Sequence, residues 1–296
     1  VHIHFNHLII QKMKSKTSLL FAMAAVASAF LTSCSKDDNN NDPEAQKAKV
    51  QIATDANLGK ILTDSAGRTL YFFSLDANGS SSCTGGCAVA WPVFYSADLT
   101  LGDTSLHKDD FATITRADGS MQTTYKGWPL YYYEKDTMPK LVLGEKVGNV
   151  WYVAKPDYTV MLANAQLVGN DGVKYTSAYV AGEGVTQYLT DAYGATLYAF
   201  SPDKFKKNTF TDSAFTKNNI WPIYETTGFK FAPSLLASAD FDTVHVFNHV
   251  QLTYKGWPLY HYGPDEMKRG NNKGVSVPKP GVWPVVNTTT VVAPLP

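Results

Sequence analysis

Apolar residues follow two regimes along this chain. Between Ser18 and Phe30 they form a run interrupted by nothing more polar than serine. From residue 48 onwards they come in strand-length runs bounded by Gly, Asp and Asn, and no long stretch repeats with the 3.6-residue period of a helix. Residues two apart on a strand share a face. In Leu70-Tyr71-Phe72-Phe73, Leu70 and Phe72 therefore point one way and Tyr71 and Phe73 the other, which predicts a strand covered on both sides. Thr-Asp-x-x-Gly ahead of it is hairpin chemistry: Asp64 and Asp191 are placed to bond nearby backbone N–H groups, with Gly67 and Gly194 taking the left-handed conformation. In Lys-Gly-Trp-Pro-Leu-Tyr, Gly127 and Gly256 turn the chain, and Pro129 and Pro258 restrict their strands to starting there or lying at an edge. These patterns predict an all-β protein.

The runs recur. Thr124 to Tyr131 and Thr253 to Tyr260 spell the same octapeptide, TYKGWPLY. LTDSAGRTLYFFSLD from Leu62 matches LTDAYGATLYAFSPD from Leu189, and the six tryptophans pair as Trp91 with Trp221, Trp128 with Trp257 and Trp151 with Trp283. The chain is a tandem duplication of a unit of about 110 residues, spanning roughly 48–160 and 165–290. A finer repeat, Tyr-x-aromatic-x-x-Asp, occurs four times: Tyr71, Phe73 and Asp76; Tyr131, Tyr133 and Asp136; Tyr198, Phe200 and Asp203; Tyr260, Tyr262 and Asp265. Four similar segments are compatible with a propeller-like closure or with paired sandwiches or barrels, between which the pattern does not choose.

With these motifs, Cys83-x-x-x-Cys87, Trp91-Pro92 and the Gly-x-Pro-Leu-Tyr of both octapeptides, residues 58–285 resemble the bacterial secreted-repeat lipoproteins that carry the Tyr-x-aromatic-x-x-Asp motif. The resemblance implies no particular biochemical activity.

The N-terminal region gives an expected address. Lys14 and Lys16 precede the apolar run, which is shorter than the roughly 20 residues of a permanent membrane span. Leu31-Thr32-Ser33-Cys34 resembles the lipobox of bacterial lipoproteins, implying acylation of Cys34 and anchoring in a lipid bilayer. Residues 1–33 are then a signal peptide, with 1–12 expected to lie upstream of the true start at Met13. Residues 34–47 are the lipidated cysteine and a polar, flexible tether. Cys-Ser-Lys-Asp-Asp looks like the acidic signal that exports lipoproteins of Bacteroidota to the cell surface, so we expect an outer-membrane lipoprotein on the surface, with the periplasmic face as the alternative. Loss of residues 1–33 removes three lysines from 26 basic residues and leaves 26 acidic ones. No basic stripe is present, and nucleic acid is not an expected partner.

Candidate chemistry is sparse. The motif aspartates Asp76, Asp136, Asp203 and Asp265 are candidate ligands for a hard cation at a pseudosymmetry axis, or each closes the turn where its strand ends. Cys83 and Cys87 read as a disulfide outside the cytoplasm, or as a redox or metal pair, because the second unit has Ser213 and Lys217 at the same distances before Trp221. His245 and His249 have the i, i+4 spacing of a metal pair on a helix, but their neighbours look extended, which sets them about 13 Å apart. They and His107 and His261 read as surface residues. Tyr131, Tyr132, Tyr133, Tyr260, Tyr262, Trp128 and Trp257 are either core aromatics or rings exposed for stacking on sugars. No nucleophile–base signature, phosphate loop or zinc-protease motif occurs.

Together these features lead us to expect a membrane-anchored envelope lipoprotein, a non-catalytic binding or structural module whose ligand the sequence does not identify, with a glycan and an envelope protein as the candidates. No cofactor is required. The alternatives are a redox or metal-associated protein using Cys83, Cys87 and the motif aspartates, and an enzyme acting on envelope or glycan substrates.

Overall fold

The octapeptide is a tight hairpin. In a computed structural model describing residues 49–296, strand β5 (Met121–Tyr125) turns directly into β6 (Trp128–Tyr131), with Tyr125 opposite Trp128. Lys126 and Gly127 both have positive φ, 48° and 77°, as a two-residue type I′ turn requires. The second copy repeats this between β13 (His249–Tyr254) and β14 (Trp257–Tyr260), with Lys255 and Gly256 at 49° and 81°.

The remaining elements follow the same duplication. The first unit contains β1 (Val50–Asp55), β2 (Gly59–Asp64), β3 (Tyr71–Phe73), a single helical turn α1 (Gly86–Ala90), β4 (Phe111–Thr115) and β7 (Trp151–Val153). The second contains β8 (Val160–Val168), β9 (Lys174–Tyr175), β10 (Val185–Asp191), β11 (Tyr198–Ala199) and β12 (Phe241–Val246). All pairing between these strands is antiparallel, in sheets ordered β1-β2, β4-β5-β6-β3-β7, β10-β8-β9 and β11-β14-β13-β12, none closed into a barrel. The fold is all-β.

The four motif strands meet two by two. β3 pairs with β6 so that Tyr71 lies opposite Tyr131, and β11 pairs with β14 so that Tyr198 lies opposite Tyr260. Each unit is thus two repeats related by a local twofold through the facing tyrosines. The bridges that flank this axis match: Val93 with Tyr131 and Val153 with Tyr71, then Ile223 with Tyr260 and Val285 with Tyr198.

The hairpin aspartates behave as their sequence suggests. Asp64 Oδ1 accepts the N–H groups of Ala66 and Arg68, and Asp191 Oδ1 those of Tyr193 and Ala195. Gly67 and Gly194 are left-handed, at 81° and 91°. The prolines differ from expectation: Pro129 is the second residue of an internal strand. It fits because β6 pairs with β3 only from Leu130 onwards, so no ladder bond is asked of its missing N–H.

Both faces of β3 are covered. Leu70 belongs to an apolar cluster with Val50, Leu62, Phe94 and Leu130, whereas Tyr71 sits in another with Trp91, Trp151 and Cys83. Phe72, Trp128 and Tyr152 of the first unit join the core of the second, so one apolar cluster runs across the junction between them.

Candidate functional site

The motif residues build one arrangement twice. Tyr71 of the first repeat donates its hydroxyl to Asp136 of the second at 2.5 Å, and Tyr131 of the second donates to Asp76 of the first at 2.6 Å. In the other unit Tyr198 donates to Asp265 at 2.5 Å and Tyr260 to Asp203 at 2.7 Å. All four tyrosines are fully buried. Each aspartate also ends its motif strand in the same turn, its own N–H bonded to the carbonyl three residues back, on Phe73, Tyr133, Phe200 and Tyr262. The second oxygen of each carboxylate holds a following loop: Asp76 takes the N–H and hydroxyl of Ser82, Asp203 those of Thr209, Asp136 the N–H of Leu143 and Asp265 that of Lys273.

Burial pushes all four carboxyls above their ordinary range, against the opposing pull of these donors, and brings Asp265 up to about 6. The same burial, reinforced by the adjacent carboxylates, drives the four phenols upward. The idea that these aspartates ring one cation is therefore corrected: they are divided between two units and each is bonded to a tyrosine of its sister repeat. Among the described residues no group of three or more His, Cys, Asp or Glu side chains is arranged to hold a metal.

The aromatic third position of the motif has its own partner. Trp91 and Trp151 stack at 3.8 Å, with Phe73 on the outer face of Trp151 at 3.9 Å and Tyr133 on that of Trp91 at 4.2 Å. Trp221 and Trp283 stack at 3.7 Å, flanked by Tyr262 and Phe200, both at 4.4 Å. The motif tyrosines meet the indoles edge-on at 5.0–5.4 Å. Such pairs add about 0.5–1.5 kcal/mol each beyond the apolar area they bury. Tyr131, Tyr260, Tyr262 and Trp128 are buried core rings, and Tyr132, Tyr133 and Trp257 are half-buried. The sugar-stacking alternative does not fit the four buried rings.

Two glycines complete each stack and were not singled out from the sequence. A Cβ on Gly144 would lie 2.8 Å from both Trp91 and Tyr71, and one on Gly274 would lie 2.7 Å from Trp221 and 2.9 Å from Tyr198. Each N–H also faces the motif hydroxyl at 3.3 Å. The available signal was a glycine seven to nine residues before Trp151 and Trp283 in both units.

Cys83 and Cys87 form a disulfide. Counted forward from the motif aspartate, the counterpart of Cys83 is Phe210, which follows Thr209 as Cys83 follows Ser82 and sets its edge on Trp283 at 4.8 Å. Beside Cys83, the buried Arg116 donates to the Cys83 carbonyl at 2.7 Å and to Gln122 at 2.8 Å. Asn208 donates to the equivalent Gln251 at 2.9 Å.

The histidines depart from the sequence reading in two places. The segment around His245 and His249 is a hairpin turning at Phe247, whose φ is 54°, so the two residues lie on different strands. His249 bonds Glu225 at 2.9 Å. His261 is buried rather than exposed, facing the Thr196 carbonyl at 3.2 Å, and burial holds its imidazole below the usual range. His107 is exposed. Cys34, the signal peptide and the tether lie outside the described residues.

Comparison with known proteins gives one match. Residues 53–95 and 112–155 each match the family described as a secreted repeat of unknown function. The matched length is one repeat, and each segment contains one motif strand and one tryptophan of the stack. A secreted repeat fits an extracellular or envelope location, and the disulfide agrees with it. No curated protein and no solved structure matches the chain.

Proposed function

We propose that this chain is a non-catalytic binding or structural module of the cell envelope, held to the outer membrane through acylated Cys34 and displayed at the cell surface. The observation that carries the non-catalytic part is the reciprocal Tyr–Asp pairing. The most regular chemistry in the sequence lies inside the two cores, with each phenol and carboxylate bonded to the other, and this supports a motif that holds shape. The secreted-repeat match supports the envelope location. A glycan or an envelope protein is the ligand class, and recognition falls to the outer surface of the units.

Fatty-acid labelling of the full chain tests the anchor. Label is expected on the parent protein and absent from Cys34→Ala, which is released to the soluble fraction; equal labelling of both removes the anchor. A membrane-impermeant reagent on intact cells tests the address, and a protein that stays unlabelled until the cells are broken refutes surface display. Blank glycan arrays would remove the sugar version of the reading.

A redox role is the second reading, favoured by a disulfide present in the first unit alone of the two and closing only a few residues. Its test is the thiol–disulfide equilibrium of Cys83 and Cys87 against glutathione. A pair that stays oxidised at every cellular ratio is a structural staple.

A further inference from the structure

Each octapeptide hairpin bonds chain that lies C-terminal to it, and both use the same three groups, the first on three separate places and the second on one segment. In the first unit, Lys126 Nζ donates to the carbonyl of Pro156 at 3.2 Å, and Trp128 Nε1 donates to the carbonyl of Ala192, in the second unit, at 3.3 Å. The Lys126 carbonyl accepts Arg269 Nη1, also from the second unit, at 3.0 Å, and that guanidinium lies 4.1 Å from the Trp128 ring. The second hairpin uses the same three groups on residues 287–296. Lys255 Nζ donates to the carbonyls of Thr288 and Thr290 at 3.1 and 3.0 Å. Trp257 Nε1 donates to that of Val291 at 2.8 Å, and the Lys255 carbonyl accepts the Ala293 N–H at 3.0 Å.

The occupants differ in depth. Trp128 is 2 % exposed beneath a folded unit. Trp257 is half-buried under a strip that turns at residues 287–290, where the Thr290 N–H bonds the Asn287 carbonyl at 3.1 Å, and then runs on outside any strand; in it Ala293 is covered while Val291, Val292 and Leu295 are 75 %, 62 % and 78 % exposed. A cleft of about 330 Å³, lined by Trp257, Tyr179, Val285 and Val291 among others, remains beside that strip. The strip is thus held mainly by bonds to its backbone, and little apolar area opposes its departure.

We propose that the Tyr-Lys-Gly-Trp hairpin is a docking element for polypeptide, and that its copy at Lys255 and Trp257 is a peptide site occupied in this chain by its own residues 287–296. The ligand class is an uncharged segment, a polar turn followed by apolar residues, that presents carbonyls to the lysine and the indole and one N–H to the lysine carbonyl. The site rests on the reading of the chain as a binding module and gives that reading a location. Its test touches neither the lipid anchor nor the surface address, so the two can fail separately.

The test is calorimetric titration of a synthetic peptide of residues 287–296 into the chain cut after Val286. Saturable one-to-one binding is expected, at least tenfold weaker when the cut chain also carries Lys255→Met or Trp257→Phe, and at least tenfold weaker in the uncut chain, where the site is filled. A folded cut chain that shows no binding at millimolar peptide, or variants that bind as well as their parent, overturns the proposal. If the cut chain fails to fold, the uncut chain is used with hydrogen exchange. Lys255→Met is expected to speed exchange at the Ala293 amide at least tenfold while that of Leu252 stays protected, and an unchanged Ala293 rate overturns the proposal.

Discussion

Where the first unit has Ser82-Cys83, the second has Thr209-Phe210, and the difference shows which parts of this repeat are obligatory. Ser82 and Thr209 do one job, donating N–H and hydroxyl to the motif aspartate. The next residue fills the side of the tryptophan stack. Phe210 does so with a ring, whereas Cys83 does so with less volume, assisted by Arg116 over its carbonyl and by the bond to Cys87. The loops then return to the stack alike, the N–H of Trp91 on the Cys87 carbonyl and that of Trp221 on the Lys217 carbonyl. In the second unit Asp212 ties the loop by accepting the N–H groups of Ala214 and Thr216 and the Thr216 hydroxyl. The indole stack and the Tyr–Asp exchange are therefore common property, and the disulfide is one of two local ways to close the loop beside them.

The comparison is tested most severely at the stack. Trp91→Ala and Trp221→Ala are expected to cost about 3–5 kcal/mol each in denaturant unfolding. A much smaller loss in one unit would show that its stack is not the core it resembles.

The next effect is on pH. The folded-state pKa of Asp265, about 6, lies above the ordinary aspartate value of 3.8. Its contribution to stability is therefore complete below about 4 and is lost as pH rises through about 6, an effect on the order of 3 kcal/mol. Asp76, Asp136 and Asp203 move in the same direction. Exposed carboxylates such as Asp103 and Asp118, held low by serine donors, act in the opposite sense at more acid pH. Unfolding midpoints between pH 4 and 7 check this, and a stability that rises across that range contradicts it. Tyr198→Phe removes a donor that holds Asp265 down and should raise its NMR-titrated pKa further.

Smaller again is the disulfide. On the chain-entropy account a loop of this size contributes about 2 kcal/mol, so Cys83→Ser with Cys87→Ser should lower stability by about that amount. Loss of folding would mean that the bond does more than close a loop. Smallest is Asp212→Ala, expected to cost about 1 kcal/mol, as for loss of a side-chain cap, read from the unfolding midpoint.

What could be read from the chain was local. The hairpin at Asp64 and Gly67, the turn at Gly127 and the doubling of the unit all depend on residues within a few positions of each other, or on identity between copies. What escaped depends on partners far apart. The motif tyrosine finds its aspartate 65, 55, 67 and 57 residues away, in the other repeat. No spacing rule announces that exchange, and an acidic residue repeated four times invites a shared site instead. His261 looked like a surface residue because histidine is polar, yet it occupies the place of Tyr132 and packs against Tyr224 at 5.1 Å. The strand prolines misled because their tolerance depends on where a neighbouring ladder stops. Gly144 and Gly274 matter through the approach of two rings, which a sequence does not display.

The exchange of hydroxyl and carboxylate across the local twofold imposes a parity on proteins of this construction. A solitary repeat has a buried tyrosine with no carboxylate to accept its hydroxyl and a carboxylate with one oxygen left without its donor, each a loss of about 1–3 kcal/mol, and half of an indole stack. Two repeats remove these losses mutually, and a third would restore them. Chains built this way should therefore lengthen and shorten by pairs, as the doubling of an already paired unit in this sequence did, and an odd count would call for a partner from another molecule.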